Sequence, residues 1–196
     1  MGMAHLIAKA GSTGWTAEML DELPDDGKRY EIIDGELFVT PSPTWRHGDA
    51  VMELYEPLKA YARAHGVGHV KVAPQDVVYS RRTVVEPDLF VVPLVDGRKP
   101  RTWAEAGRLL LAVEVLSPGS QRADRWVKRA LYQRENVPEY WIVDVDARLI
   151  ERWRPGEDRP EILDSRLEWR PDAAKPSLVL DLEGYFAEVI SEMSNY

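Results

Sequence analysis

Leu109-Leu110-Leu111-Ala112-Val113-Glu114-Val115-Leu116 is the most apolar stretch of the chain, and a single carboxylate stands inside it. An apolar run of this length reads as a strand buried on both faces. Ser117-Pro118-Gly119-Ser120 follows as a turn, with Ser120 a candidate helix cap. Gln121 to Glu135 reads as a helix with an apolar stripe of Ala123, Val127, Ala130 and Leu131, and Val137-Pro138 stops it. Tyr140-Trp141-Ile142-Val143-Asp144 is a second buried strand.

Upstream, Val84 to Val92 reads as a strand region in which Glu86-Pro87-Asp88 precedes the apolar Leu89-Phe90-Val91-Val92. His69 to Ala73 and Gln75 to Ser80 form one broken strand or a bent pair around Pro74. Trp45 to His65 has helical spacing, with Pro57 a kink. Tyr30 to Thr40 is a hairpin turning at Asp34-Gly35. Thr16 caps a short helix over Ala17 to Leu23, which Pro24 ends. Downstream, Arg148 to Trp153 alternates as an outer strand, Ile162 to Trp169 is a further strand, and Asp181 to Ile190 closes as a helix. The central order is helix, three strands, helix, strand. It predicts an α/β fold, a mixed central sheet flanked by helices, with an N-terminal hairpin and extra C-terminal strands.

No repeat, low-complexity tract or long linker divides the 196 residues, so a single domain is expected over 1–196. Apolar residues make up 44% and charged residues 30%, the balance of a water-soluble chain, and no apolar run approaches a membrane span. Met1 to Ala10 has no charged-then-apolar leader pattern, and there is no cysteine. A cytoplasmic location without a membrane partner is the expectation, and disulfides, zinc-cysteine sites and thiol catalysis are excluded. The net charge of −8 argues against gripping nucleic acid along a broad surface. Most of the negative excess falls after residue 156, while Gln121 to Arg134 is basic, with Arg122, Arg125, Lys128, Arg129 and Arg134 against Asp124. Such a run is either a solvated helix face or a phosphate-contacting one.

Glu114 is the anomaly. An isolated carboxylate in an apolar strand costs several kcal/mol unless a base, a hydrogen-bond network or a metal compensates it. Alternation places Ala112, Glu114 and Leu116 on one face of the strand and Leu111, Val113 and Val115 on the other. Asp88 stands at the mouth of the strand Leu89 to Val92, after a proline that opens the ladder there. If the two strands are neighbours, the carboxylates converge, and a cation between them would relieve their repulsion. An all-oxygen ligand set suits Mg2+ or Mn2+. Lys128 lies at the edge of the helix's apolar stripe, with Asp124 one turn before it. Its stem can run along the core while its ammonium reaches the pocket, to orient a nucleophilic water or offset charge on a phosphate. Taken singly, Glu114 fits a structural salt bridge, Asp88 a strand start and Lys128 a surface lysine; their order along the chain is what points to a site.

Glu86-Pro87-Asp88-Leu89, Ala112-Val113-Glu114-Val115-Leu116-Ser117-Pro118, Asp124 followed by Lys128, and Val137 to Asp144 together resemble the bacterial Uma-two family. These are restriction-endonuclease-like proteins of the PD-(D/E)XK nuclease superfamily. Tyr30-Glu31-Ile32-Ile33-Asp34-Gly35-Glu36-Leu37, then Pro41-Ser42-Pro43 and His47, resemble it too, so the likeness spans roughly Tyr30 to Trp153. The resemblance implies an αβββαβ core. It also implies that Asp88 and Glu114, with the backbone carbonyl of Val115, bind a divalent metal. One position departs: the superfamily pattern places lysine two residues after the second acid, where this chain has Leu116. In relatives with a migrated lysine that residue comes from the next helix, the place of Lys128. Glu31, His47 and Asp124 are candidate pocket-border residues; the alternatives are a plain strand residue for Glu31 and a plain helix-start residue for His47.

The function so implied is Mg2+- or Mn2+-dependent endonucleolytic hydrolysis of phosphodiester bonds in DNA. Asp88, Glu114 and Lys128 would be catalytic, Arg122, Arg125 and Arg129 would contact flanking phosphates, and two copies could pair as a homodimer to cut two strands. The alternatives are a catalytically inactive nuclease-fold accessory or nucleic-acid-binding module, which Leu116 and the acidic charge favour, and a carboxylate-pair hydrolase acting on sugars.

Overall fold

The computed structural model describes residues 11 and 14–191. The predicted buried strand is real and central: β7 (Leu111–Val115) is buried at every position. It pairs in parallel with β8 (Tyr140–Asp144) and antiparallel with β6 (Leu89–Val92). A parallel pair needs a long crossover, and the helical segment 121–134 supplies it. With β3 (His69–Val72), β9 (Leu149–Trp153) and β10 (Glu161–Leu163), these strands form a six-stranded mixed sheet in the order β10-β9-β8-β7-β6-β3.

The two faces of β7 feed two cores. Leu111, Val113 and Val115 join the cluster under the long helix α2 (Trp45–His65) and the C-terminal helix α5 (Leu182–Ile190). Ala112 joins the opposite cluster, with Leu131, Tyr132, Tyr140 and Ile142. Pro57 is accommodated inside α2, and Asp181 caps α5 by accepting from the Gly184 N–H at 3.2 Å.

A second, four-stranded antiparallel sheet covers the opposite face in the order β2-β1-β5-β4. It contains β1 (Arg29–Ile33), β2 (Glu36–Thr40), β4 (Val77–Ser80) and β5 (Thr83–Val85). The predicted hairpin turns at Asp34 and Gly35, both at positive φ (53° and 86°), the geometry that an Asp-Gly pair favours.

Several expected elements are corrected. Val84 to Val92 is not one strand region: it divides at Glu86-Pro87-Asp88 into β5 and β6, which lie in different sheets. The stretch around Pro74 likewise sends β3 and β4 to different sheets. Ile162 to Trp169 is two strands, β10 and β11 (Arg166–Trp169), and β11 pairs with a further strand, β12 (Leu178–Asp181). Leu149–Trp153 is not an outer strand, because β10 covers its edge. The first helix, α1 (Ala17–Leu20), is shorter than predicted, and Thr16 makes no side-chain capping bond to it. A one-turn helix, α3 (Trp103–Ala106), was not anticipated. The segment after β7 is a π-helix over Ala123–Lys128 that continues as α4 (Arg129–Arg134). Met1 to Ala10 lies outside the described residues.

Candidate active site

A cavity of about 480 Å³ opens at the carboxyl ends of β7 and β8. Its wall includes Asp88, Glu114, Asp124 and Lys128, together with Arg29 from β1 and His47 from α2. In α/β sheets, sites form outside the carboxyl ends of parallel strands, where the chain leaves the ladder and side chains can converge.

Asp88 ends the Glu-Pro-Asp link between the sheets and is buried. Its Oδ2 accepts the Val115 N–H at 2.8 Å and a hydrogen bond from His47 Nε2 at 3.0 Å. Its Oδ1 accepts from Arg29 Nη1 at 2.7 Å. Burial alone would raise its pKa; the His47 bond and the Arg29 charge outweigh burial and hold the carboxyl below its ordinary value. Arg29 is shared, since its Nε also meets Glu86 Oε1 at 2.8 Å.

Glu114 lies on the opposite side of the strand from Val115 and is also buried. Its Oε1 accepts from Lys128 Nζ at 3.0 Å and from the Tyr132 hydroxyl at 3.3 Å. Burial, aided by the neighbouring carboxylates and only partly opposed by Lys128, pushes its pKa well up. Lys128 Nζ also stands 2.8 Å from Glu31 Oε2 and 3.6 Å from Asp124 Oδ1. Burial works against its charge, but Glu114, Glu31 and Asp124 outweigh it and raise its pKa. Glu31 is fixed in turn, its Oε1 accepting the Glu86 N–H at 2.8 Å. Asp124 is the least satisfied member: both carboxyl oxygens are buried and without a hydrogen-bond partner among the described residues, and burial raises its pKa.

Asp124 and Lys128, four residues apart, share the inward face of the helical segment. The segment that carries them is a π-helix, a distortion often found at functional sites. Lys128 is buried and its ammonium reaches the cavity.

The structure thus brings together Asp88, Glu114 and Lys128, with Glu31, His47 and Asp124 around them, and Val115 lines the same cavity. It does not bring the three helix arginines there. Arg125 is held by Glu151 at 2.7 Å and Asp144 at 2.9 Å. Arg129 lies over the rings of Trp153 and Trp126, at 4.7 and 5.7 Å. Arg122 is exposed and, like the other two, does not line the cavity. The arginines that do are Arg29 and Arg46, which the sequence reading missed. The available signal for Arg29 was its place two residues before Glu31, on the same face of β1.

The donor atoms suit a hard divalent cation. Every candidate ligand is an oxygen, and Asp124 shares its ion-pair partner, Lys128, with Glu31 and Glu114. Glu31, Asp88, Glu114 and Asp124 together exceed Arg29 and Lys128 in formal charge. Among the described residues no group of three or more His, Asp or Glu side chains forms a ready ligand cage. Mg2+ requires only one or two carboxylates from a protein, with water completing its shell.

A mixed sheet flanked by helices, with two acids and a lysine converging at strand ends, defines a restriction-endonuclease-like fold. The chain belongs to the Uma2 family, described as "Putative restriction endonuclease", whose model matches residues 17–183. Among solved structures it is similar to one titled a "putative nuclease belonging to DUF820" from Anabaena variabilis ATCC 29413. The TM-score is 0.73 at 16% identity, covering 89% of this chain and 99% of the other, a likeness of fold. No curated protein matches the chain. Among the described residues no helix is long and apolar enough to cross a membrane.

Proposed function

We propose that this chain is a metal-dependent endonuclease that hydrolyses phosphodiester bonds in DNA at the Asp88–Glu114–Lys128 cavity. The observation that carries this reading is the convergence of two buried carboxylates and a buried, charged lysine in one cavity open to solvent. Family membership supports the nuclease class.

Asp88, Glu114 and the Val115 carbonyl would hold Mg2+ or Mn2+. Such an ion, when bound, supplies Lewis acidity toward the phosphate and lowers the pKa of water. The chain's own groups do the rest. The Val115 N–H and His47 fix the plane of the Asp88 carboxylate, as outer partners of a ligand do. Glu31 holds Lys128 in place, and the Lys128 ammonium offsets the charge that builds on the phosphate in the transition state. Arg29, held on the cavity wall by Glu86 and Asp88, adds positive charge beside the phosphate.

Cleavage of supercoiled plasmid with Mg2+ or Mn2+ tests this, beside Asp88→Ala and Glu114→Ala variants prepared identically. The wild type should cut, and each variant should lose roughly 10²-fold or more. Direct linearisation would report two copies paired on both strands; nicking would report one site acting alone. Equal cutting by wild type and variants would refute the assignment.

A second reading, a nuclease-fold module without chemistry, is favoured by two observations. Leu116 stands at the motif-lysine position, and both Asp88 oxygens are already engaged by Arg29, His47 and the Val115 N–H. Calorimetry separates the two readings, because absence of Mg2+ and Mn2+ binding at millimolar metal would support the module.

A further inference from the structure

Trp45 is 92% exposed, the most exposed of the large apolar side chains described. A bare indole leaves a large apolar area in water, at a cost that function can repay. Its place is particular. It begins α2, between Thr44 and Arg46, which both line the candidate active-site cavity. The loop leading to it, Pro41-Ser42-Pro43, lines the same cavity, and its two prolines restrict the backbone there. Trp45 does not itself line the cavity, but residues that do flank it on both sides.

The charges around it argue about the substrate. Each basic side chain on the cavity wall already has an acidic partner: Arg29 pairs with Glu86 and Asp88, Lys128 with Glu31 and Glu114, and His47 with Asp88. Arg46 pairs with Asp146 at 3.0 Å. The chain as a whole carries −8. A duplex is gripped through many phosphates by free lysines and arginines, and this rim offers few. Every base, by contrast, has a π-face for an indole, but only when it is unpaired and out of its stack. The cavity, about 480 Å³, is in the range that encloses one small ligand group.

We infer that the substrate enters as an unpaired strand, with one base stacked on Trp45 and the adjacent phosphodiester lodged in the Asp88–Glu114–Lys128 cavity. The inference rests on the nuclease reading and adds strandedness to it.

Fluorescence anisotropy of a fluorescein-labelled DNA oligonucleotide, as single strand and as duplex, tests it, with Ca2+ replacing Mg2+ to limit cutting. The wild type should bind the single strand more tightly than the duplex. Trp45→Ala should weaken single-strand binding on the order of tenfold, as loss of one base stack does, and leave duplex binding unchanged. Trp45→Phe, which keeps a ring, should retain most of the affinity. Tight duplex binding that ignores Trp45→Ala would overturn the inference and leave the nuclease reading standing. No binding of either probe would overturn both.

Discussion

Lys128 is surrounded by Glu31, Glu114 and Asp124, and two of these, Glu114 and Asp124, titrate in the opposite sense to Asp88. Burial first, then neighbouring carboxylates, raises the pKa of Glu114, and burial likewise raises that of Asp124. A folded state that holds a proton more tightly than the unfolded chain is stabilised when that proton binds. Their contribution is therefore complete below the ordinary carboxyl values of 4.5 and 3.8 and is lost as pH rises through the raised folded values. Asp88 has the opposite sign: its contribution is present above 3.8 and lost as pH falls through its depressed folded value. Without divalent metal, the melting temperature should rise as pH is lowered from neutrality to about 5, then fall well below about 4. Glu114→Gln should flatten the rise, because an amide has no proton to gain. A melting temperature that climbs from pH 5 to pH 8, unaltered by Glu114→Gln, would contradict this assignment of protons. Glu114 was legible in the sequence because a charge inside an apolar strand is conspicuous, and Asp88 because it follows a proline at a strand mouth. Arg29 was not, since an arginine at the start of a hairpin strand looks like any solvated one until its fold-mate Asp88 is placed beside it.

At the scale of elements, the hairpin β1–β2 delivers Arg29 to the cavity wall and Glu31 to Lys128, so its turn has a consequence beyond itself. Gly35 sits at φ 86°, its N–H donates to the Arg82 carbonyl at 2.9 Å, and a Cβ there would run into the Arg82 guanidinium. Gly35→Ala should destabilise the protein by roughly 1–3 kcal/mol, read as a lower urea midpoint. Gly48, in the first turns of α2, has nothing within 4 Å of a would-be Cβ and no unusual φ. Gly48→Ala should shift the midpoint the other way, by about 0.5–1 kcal/mol. Equal shifts of one sign would mean that the two positions are not distinguished by backbone geometry. The same hairpin shows which elements a sequence discloses. Asp34-Gly35 between two short runs is a local signal, and it was read correctly. The division of β3 from β4 and of β5 from β6 between two sheets is not local: each pair reads as one run because strand partners lie elsewhere in the chain. The π-helix was equally hidden, since no glycine or proline marks Ala123–Lys128 and a 3.6-residue period describes its apolar positions well enough.

For the whole molecule, the order of the core strands and helices was written in the alternation of apolar runs, and so was the burial of β7 on both faces. How the two sheets close over a common cavity was not, because that depends on Glu86-Pro87-Asp88 acting as the crossing between them. The distribution of charge follows from this closure. Arginines that look free in the sequence are consumed in the fold: Arg125 by Glu151 and Asp144, Arg134 by Asp34, Arg152 by Glu161. A strand bound here would displace few counterions. Each phosphate neutralised on a single strand contributes about −0.7 to the slope of log affinity against log salt. With one or two phosphates met at the cavity, the slope for single-stranded DNA should be about −1 to −2. Base stacking on Trp45 is insensitive to salt, so Trp45→Ala should lower affinity at every salt concentration and leave that slope unchanged. A slope steeper than about −4 would mean that basic residues beyond the cavity wall grip the nucleic acid, and would return the substrate to a duplex held by its phosphates.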